Sequence, residues 1–139
     1  MKILIVDDEP HLRTLIHQTL EELEDEGVEL LTASDGEEAL ETIRKTQPNL
    51  VLLDVMMPKK NGFDVCNAVK NELGLSGIQV ILLTAKGQEF DRQRGQAVGA
   101  DLYMTKPFDP DALLEKARGA LAARGASKQK PFLNENVST

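Results

Sequence analysis

Five short apolar runs divide this chain at near-regular intervals: KILIV (2–6), VELLTA (28–33), LVLLD (50–54), IQVILLT (78–84) and DLYMT (101–105). The first, third and fourth are almost unbroken in Ile, Leu and Val, as in strands covered on both faces. VELLTA is more mixed and suits an edge. Between the runs, apolar residues recur at helical spacing. Leu12, Leu15, Ile16, Leu20 and Leu23 make one face of a helix that Gly27 would stop. Ala39, Leu40 and Ile43 form a shorter face ending before Pro48. Val65, Cys66, Val69 and Leu73 form a third, closed by Gly74. Residues 88–98 are the weakest case, with only Phe90, Ala97 and Val98 apolar, and Leu113, Leu114, Ala117 and Leu121 make the last face. Five βα repeats predict an α/β fold: one doubly wound, five-stranded parallel sheet with five helices on its two faces. Right-handed crossovers leave few topologies for it.

A chain of 139 residues suits one such domain with a real core. Its hydrophobic fraction of 41% and charged fraction of 28% read as globular and soluble rather than disordered. The net charge of −7 argues against direct binding to nucleic acid or to an anionic membrane, because phosphate contact needs a basic surface. Cys66 is the only cysteine, which excludes an internal disulfide and a Cys-based zinc site and suits a cytoplasmic protein. The apolar run at 3–6 is too short for a signal-peptide core or a membrane span. After Arg124 the composition turns polar and aperiodic (GASKQKPFLNENVST), so residues 1–123 read as the domain and 124–139 as a flexible tail.

In a parallel sheet all strands end on one edge, and ligands bind there. Run one ends in Asp7-Asp8, run three in Asp54, run four in Thr84-Ala85, and run five leads into Thr105-Lys106-Pro107. Three acids, a hydroxyl and a lysine therefore converge on one rim. Carboxylates that close repel, so either one is protonated or a cation joins them. A hard divalent ion such as Mg²⁺ fits an all-oxygen set, whereas zinc would call for Cys or His. His11 and His17, six apart and about 240° around a helix, make no paired site. Lys106 could neutralise Asp54 or hold an incoming anion, and Thr84 could donate to the same anion.

Taken singly, each residue has an ordinary reading. Asp8 could cap a helix beginning at Pro10. Asp54 could be a loop acid facing water, Thr84 a plain strand-end residue and Lys106 a solvated charge. Met56 and Cys66 read as packing residues, and Tyr103 as a half-buried strand aromatic. Their joint placement at the ends of the right strands favours a site resembling half of a phosphoryl-transfer centre.

The combination of Asp7-Asp8-Glu9, LLDVMMP, Gly62, LLTAK and TKPF closely resembles the receiver domains of response regulators, chemotaxis regulators among them, over about residues 1–123. The resemblance implies a flavodoxin-like sheet of order 2-1-3-4-5. It implies that Asp54 accepts a phosphoryl group from a histidine kinase, a phosphotransfer protein or a small acyl phosphate. Asp8, Asp54 and the backbone carbonyl of Met56 would hold Mg²⁺ or Mn²⁺, with Asp7 acting mainly through water. Thr84 and Lys106 would bind the phosphoryl oxygens, Tyr103 would be the switch aromatic, and Lys106-Pro107 the place of a cis peptide. Met56 and Lys86 stand where the family tunes phosphoryl lifetime. The chain would catalyse its own phosphorylation and slow dephosphorylation without being a turnover enzyme, and a downstream protein would read the face of the fourth helix, fifth strand and fifth helix.

Residues 86–95 (KGQEFDRQRG) resemble receivers of winged-helix transcription regulators, which dimerise through that same face. Where that subgroup has a second acid after Gly-Ala-Asp, this chain has Leu102, so one ion pair of such a dimer is missing. An Asp-based phosphatase would need a second aspartate two residues past the nucleophile, where Met56 stands. The remaining alternative is a receiver-like scaffold that binds partners without being phosphorylated. Neither GxGxxG nor GxxxxGK[ST] occurs to support nucleotide binding.

Overall fold

The computed structural model describes residues 1–57, 59–85 and 89–123, with the side chains of 89–91 left aside. The expected tail at 124–139, Lys86 and the Phe90 side chain lie outside the described residues. Along the chain run β1 (Lys2–Val6), α1 (Pro10–Thr19), α2 (Glu21–Glu24), β2 (Glu29–Ala33), α3 (Gly36–Thr46) and β3 (Leu50–Asp54). There follow α4 (Gly62–Asn67), running into a wider turn at Ala68–Glu72, then β4 (Gln79–Ala85), α5 (Glu89–Ala97), β5 (Leu102–Lys106) and α6 (Pro110–Ala123). All strands pair in parallel in the order β2-β1-β3-β4-β5, as expected.

Strand alternation divides the core between two faces. Ile3, Ile5, Leu50, Leu52, Ile81 and Leu83 pack against α1, α2 and α6 through Ile16, Leu20, Leu23, Leu113, Ala117 and Leu121. Leu4, Val6, Val51, Leu53, Val80 and Leu82 face α3 and α4 through Leu40, Ile43, Phe63, Val65 and Val69. The continuous apolar runs of β1, β3 and β4 are thus explained by burial on both sides, and the mixed β2 is an edge.

Among the described residues six helices replace the five expected, because the first breaks at Leu20, where φ is −98° and ψ 6°. The Thr19 hydroxyl donates to the Leu15 carbonyl at 2.8 Å just before the break, a kind of side-chain bond that competes with helical hydrogen bonding. Leu15 points to solvent, 43% exposed, while Ile16, Leu20 and Leu23 are buried. A second departure lies after α4. The Leu73 amide donates to the Ala68 carbonyl, five residues back, at 2.7 Å. This π-type turn shifts the helical phase, so Leu73 leaves the face that Val65, Cys66 and Val69 bury. Gly27 and Gly74, placed from sequence as stops, take φ of 93° and 67°, a left-handed region that glycine enters without a Cβ clash.

Ile16→Ala should cost about 2–5 kcal/mol of unfolding free energy, whereas Leu15→Ala, one position earlier, should stay within about 0.5 kcal/mol. Urea denaturation of the two variants measures the difference directly.

Candidate functional site

Parallel pairing carries the expected residues to one rim. Asp54 ends β3 in register with Leu83 of β4, so Thr84 lies one residue beyond its partner, and Thr84 and Ala85 pair with Thr105 and Lys106 of β5. Asp7 follows β1 directly, and its amide donates to the Ala33 carbonyl at 3.2 Å. Ligand oxygens of Asp7, Asp8 and Asp54 all lie within 4.8 Å of one another. Asp54 is 3% exposed and does not face water, and Thr84 is equally buried.

Lys106 is not a solvated charge. Its Nζ lies 2.7 Å from Oδ1 of Asp54 and 3.3 Å from Oδ2 of Asp7. The other oxygen of Asp7 accepts from the Glu9 amide at 2.9 Å. With both oxygens engaged, Asp7 suits a supporting place beside a cation. Asp8, by contrast, is exposed and does not cap α1: the cap position belongs to Glu9, with Pro10 at the first helical position and no side-chain capping bond. Its carboxylate is therefore not consumed by the helix.

Burial pushes the Asp54 carboxyl up to about 6, with Asp7 and Asp8 adding to the rise, while the hydrogen bond and charge of Lys106 oppose it. Burial also works against the Lys106 ammonium, but Asp54 and Asp7 outweigh it and its pKa is raised. The pair is thus charged at neutral pH, and a surplus of negative charge remains on the rim. Oxygen-only donors with that surplus fit a small hard cation.

The Lys106-Pro107 peptide is cis, as the resemblance implied. Cys66 packs in the core as expected, and burial raises its thiol to about 12. Two further single-residue readings change. Met56 is not a packing residue, since its side chain is 72% exposed. Tyr103 is buried rather than half-buried, with the Arg92 guanidinium 5.0 Å from its ring centroid. Pro58, within the LLDVMMP motif, and Lys86 fall outside the described residues.

The structure adds positions that sequence reading passed over. Arg13 Nη1 donates to the Asp7 carbonyl at 2.7 Å, fixing the β1–α1 turn. Gly62 starts α4 hard against the end of β3: a Cβ there would fall 2.5 Å from the Asp54 carbonyl oxygen. Far from the rim, Lys70 Nζ is buried against Asp101 at 2.7 Å and the Ile78 carbonyl at 2.6 Å, tying the turn after α4 to the starts of β4 and β5. Gly62 stood out as a motif residue, but nothing in the local pattern marked Arg13 or Lys70.

A doubly wound parallel sheet with three acids, a threonine and a lysine at its carboxyl edge defines a class of acidic-pocket α/β domain. The sequence matches the response regulator receiver domain over residues 3–118, and the chain belongs to that family. It is 46% identical over 120 residues to the ycf27 protein of Pyropia yezoensis, covering 86% of this chain and 47% of that one. The alkaline phosphatase synthesis transcriptional regulatory protein PhoP of Bacillus subtilis is 42% identical over 120 residues, with 86% and 48% covered. The chain thus spans about half the length of these curated relatives. The chemotaxis response regulator CheY4 of Vibrio cholerae superposes with a TM-score of 0.75 at 34% identity, over 86% of this chain and 97% of that chain. Among the described residues no helix is long and apolar enough to cross a membrane.

Because its folded pKa of about 6 lies above the ordinary 3.8, ionising Asp54 costs the cation-free fold stability as pH rises from about 4 through 6. Asp54→Asn escapes that loss. In chelator, its melting temperature should overtake the wild type's between pH 4.5 and 7.5, by the equivalent of on the order of 3 kcal/mol at most. A gap that does not widen with pH would contradict this electrostatic account.

Proposed function

We propose that this domain is a phospho-accepting receiver of a two-component or phosphorelay system and that Asp54 is the acceptor. The observation that carries the reading is the Lys106 ammonium 2.7 Å from Asp54 Oδ1 on a rim shared with Asp7 and Asp8. Asp8, Asp54 and the Met56 carbonyl would hold Mg²⁺ or Mn²⁺, with Asp7 acting through water. The bound cation would draw charge from the phosphoryl oxygens.

The chain's own residues supply the rest. An Asp54 oxygen attacks phosphorus as the bond to the donor's imidazole nitrogen breaks, leaving the electron pair on the imidazole. Lys106 turns from Asp54 to a phosphoryl oxygen, and the Thr84 hydroxyl donates to another. The acyl phosphate adds about one to two negative charges to a nearly closed site. Movement of Thr84 at the end of β4 is passed to Tyr103 on β5. The surface of α5, β5 and α6, which corresponds to the family's fourth helix, fifth strand and fifth helix, then changes for a downstream protein. A histidine kinase or phosphotransfer protein is the donor, and water later hydrolyses the product. The setting is cytoplasmic, with no part for direct nucleic-acid or membrane binding by this domain.

Acetyl phosphate with Mg²⁺ should add one phosphoryl group to the intact protein by mass spectrometry, and Asp54→Asn should abolish the gain. Absence of the adduct in the wild type would favour the unphosphorylated scaffold. Light scattering with and without beryllofluoride tests phosphorylation-dependent dimerisation: a rise in mass supports it, and an unchanged monomer removes it.

A further inference from the structure

Asp54 is followed by a loop that must return the chain to α4, and that loop carries the Met56 carbonyl. Gly62 seats its far end, donating from its amide to the Val55 carbonyl at 2.9 Å. The stretch between has a second support, from a different βα unit. Gly36, the first residue of α3, lies so close to Lys60 that a Cβ on it would fall 2.6 Å from the Lys60 Cβ and 2.8 Å from its carbonyl carbon, and nearer still to the carbonyl oxygen. Beside it, Asp35 Oδ2 lies 3.6 Å from Lys59 Nζ. Lys59 itself adopts φ of 69°, a left-handed conformation uncommon for a residue with a Cβ. Asp35 is anchored in turn, because its Oδ1 accepts from the Glu38 amide at 2.8 Å as the cap of α3.

We propose that the start of α3, through the bare backbone of Gly36 and the carboxylate of Asp35, is a positioning site for the loop after Asp54, and so sets how well that loop completes the cation site. This rests on the reading of Asp8, Asp54 and the Met56 carbonyl as the ligands of Mg²⁺. Gly36 and Asp35 touch neither cation nor phosphoryl group; they act through Lys59 and Lys60. A methyl group at position 36 would have to reach ordinary contact of about 3.5 Å, displacing the Lys60 backbone by on the order of 1 Å. Shifts of that size in groups supporting a metal site cost roughly 10–100-fold in affinity.

The test is Mg²⁺ titration of the full chain by calorimetry, with amide NMR shifts as a second reading, on the wild type, Gly36→Ala and Gly119→Ala. A Cβ at Gly119, in α6, meets nothing within 4 Å, so that variant controls for the glycine-to-alanine change itself. The expected result is about tenfold weaker Mg²⁺ binding for Gly36→Ala, shifted Asp54–Gly62 amides, and unchanged affinity for Gly119→Ala. Unchanged affinity in a folded Gly36→Ala protein overturns the inference, even if its melting temperature moves. If Gly36→Ala does not melt cooperatively, Asp35→Asn decides, since asparagine keeps the cap but loses the charge opposite Lys59. Weakening of about twofold at low salt that vanishes near 0.5 M salt supports the inference, and none overturns it. A wild type that binds no Mg²⁺ sinks the parent reading and this one together, a result distinct from wild-type binding that Gly36→Ala leaves intact.

Discussion

The rim of this sheet gathers more negative charge than it neutralises. Asp7, Asp8 and Asp54 stand together, and the Lys106 ammonium reaches two of them, at 2.7 Å from Asp54 and 3.3 Å from Asp7. Neutralisation of the pocket by protein groups is only partial. One ammonium keeps Asp54 mostly ionised at neutral pH although burial pushes its carboxyl to about 6. It leaves enough unbalanced charge to favour a small cation. A second fixed cation would offset the charge that favours such an ion, and no cation at all would leave a buried carboxylate that protonates.

The sheet makes this balance possible. β1 and β3 are neighbours at its centre, buried on both faces, so Asp7 and Asp54 emerge side by side from a rigid apolar wall. Lys106 arrives from the far edge strand, two strands from Asp54, and its long stem spans the interval past Thr84. Glu9 and Arg13 then lock the β1–α1 turn by binding the carboxylate and carbonyl of Asp7.

The strands were legible in the sequence because burial on both faces leaves nearly continuous apolar runs, and their boundaries fall within a residue of those expected. The convergence of Asp7, Asp8, Asp54, Thr84 and Lys106 was legible for the same reason: once the strands are parallel, their ends share an edge. What escaped was set by contacts without a period. The break at Leu20 comes beside a hydroxyl bonding to its own helix, and the π-type turn at Ala68–Glu72 has a carbonyl accepting from five residues ahead. Neither alters the spacing of leucines and valines from which helices are read. Nor does a pattern of apolar residues say that Gly36 abuts a loop from another repeat, or that Met56 turns its side chain outward.

The described part of α5, from Arg92 to Ala97, has almost no greasy face. Of its residues from Arg92 onward only Gly95 is buried, and a Cβ there would fall 2.8 Å from Leu82. On either side, guanidinium groups sit on rings: Arg92 over Tyr103 at 5.0 Å and Arg94 over Phe63 at 4.2 Å. Contacts of this kind contribute about 0.5–1 kcal/mol each where solvent reaches them, and ionic strength screens them. Among the described side chains, the electron-rich faces of two aromatics thus contribute to the seating of α5, and salt becomes a dial on that part of its adhesion, as it is on the exposed pairs of Arg118 with Glu22 and Glu26 that tie α6 to the end of α2.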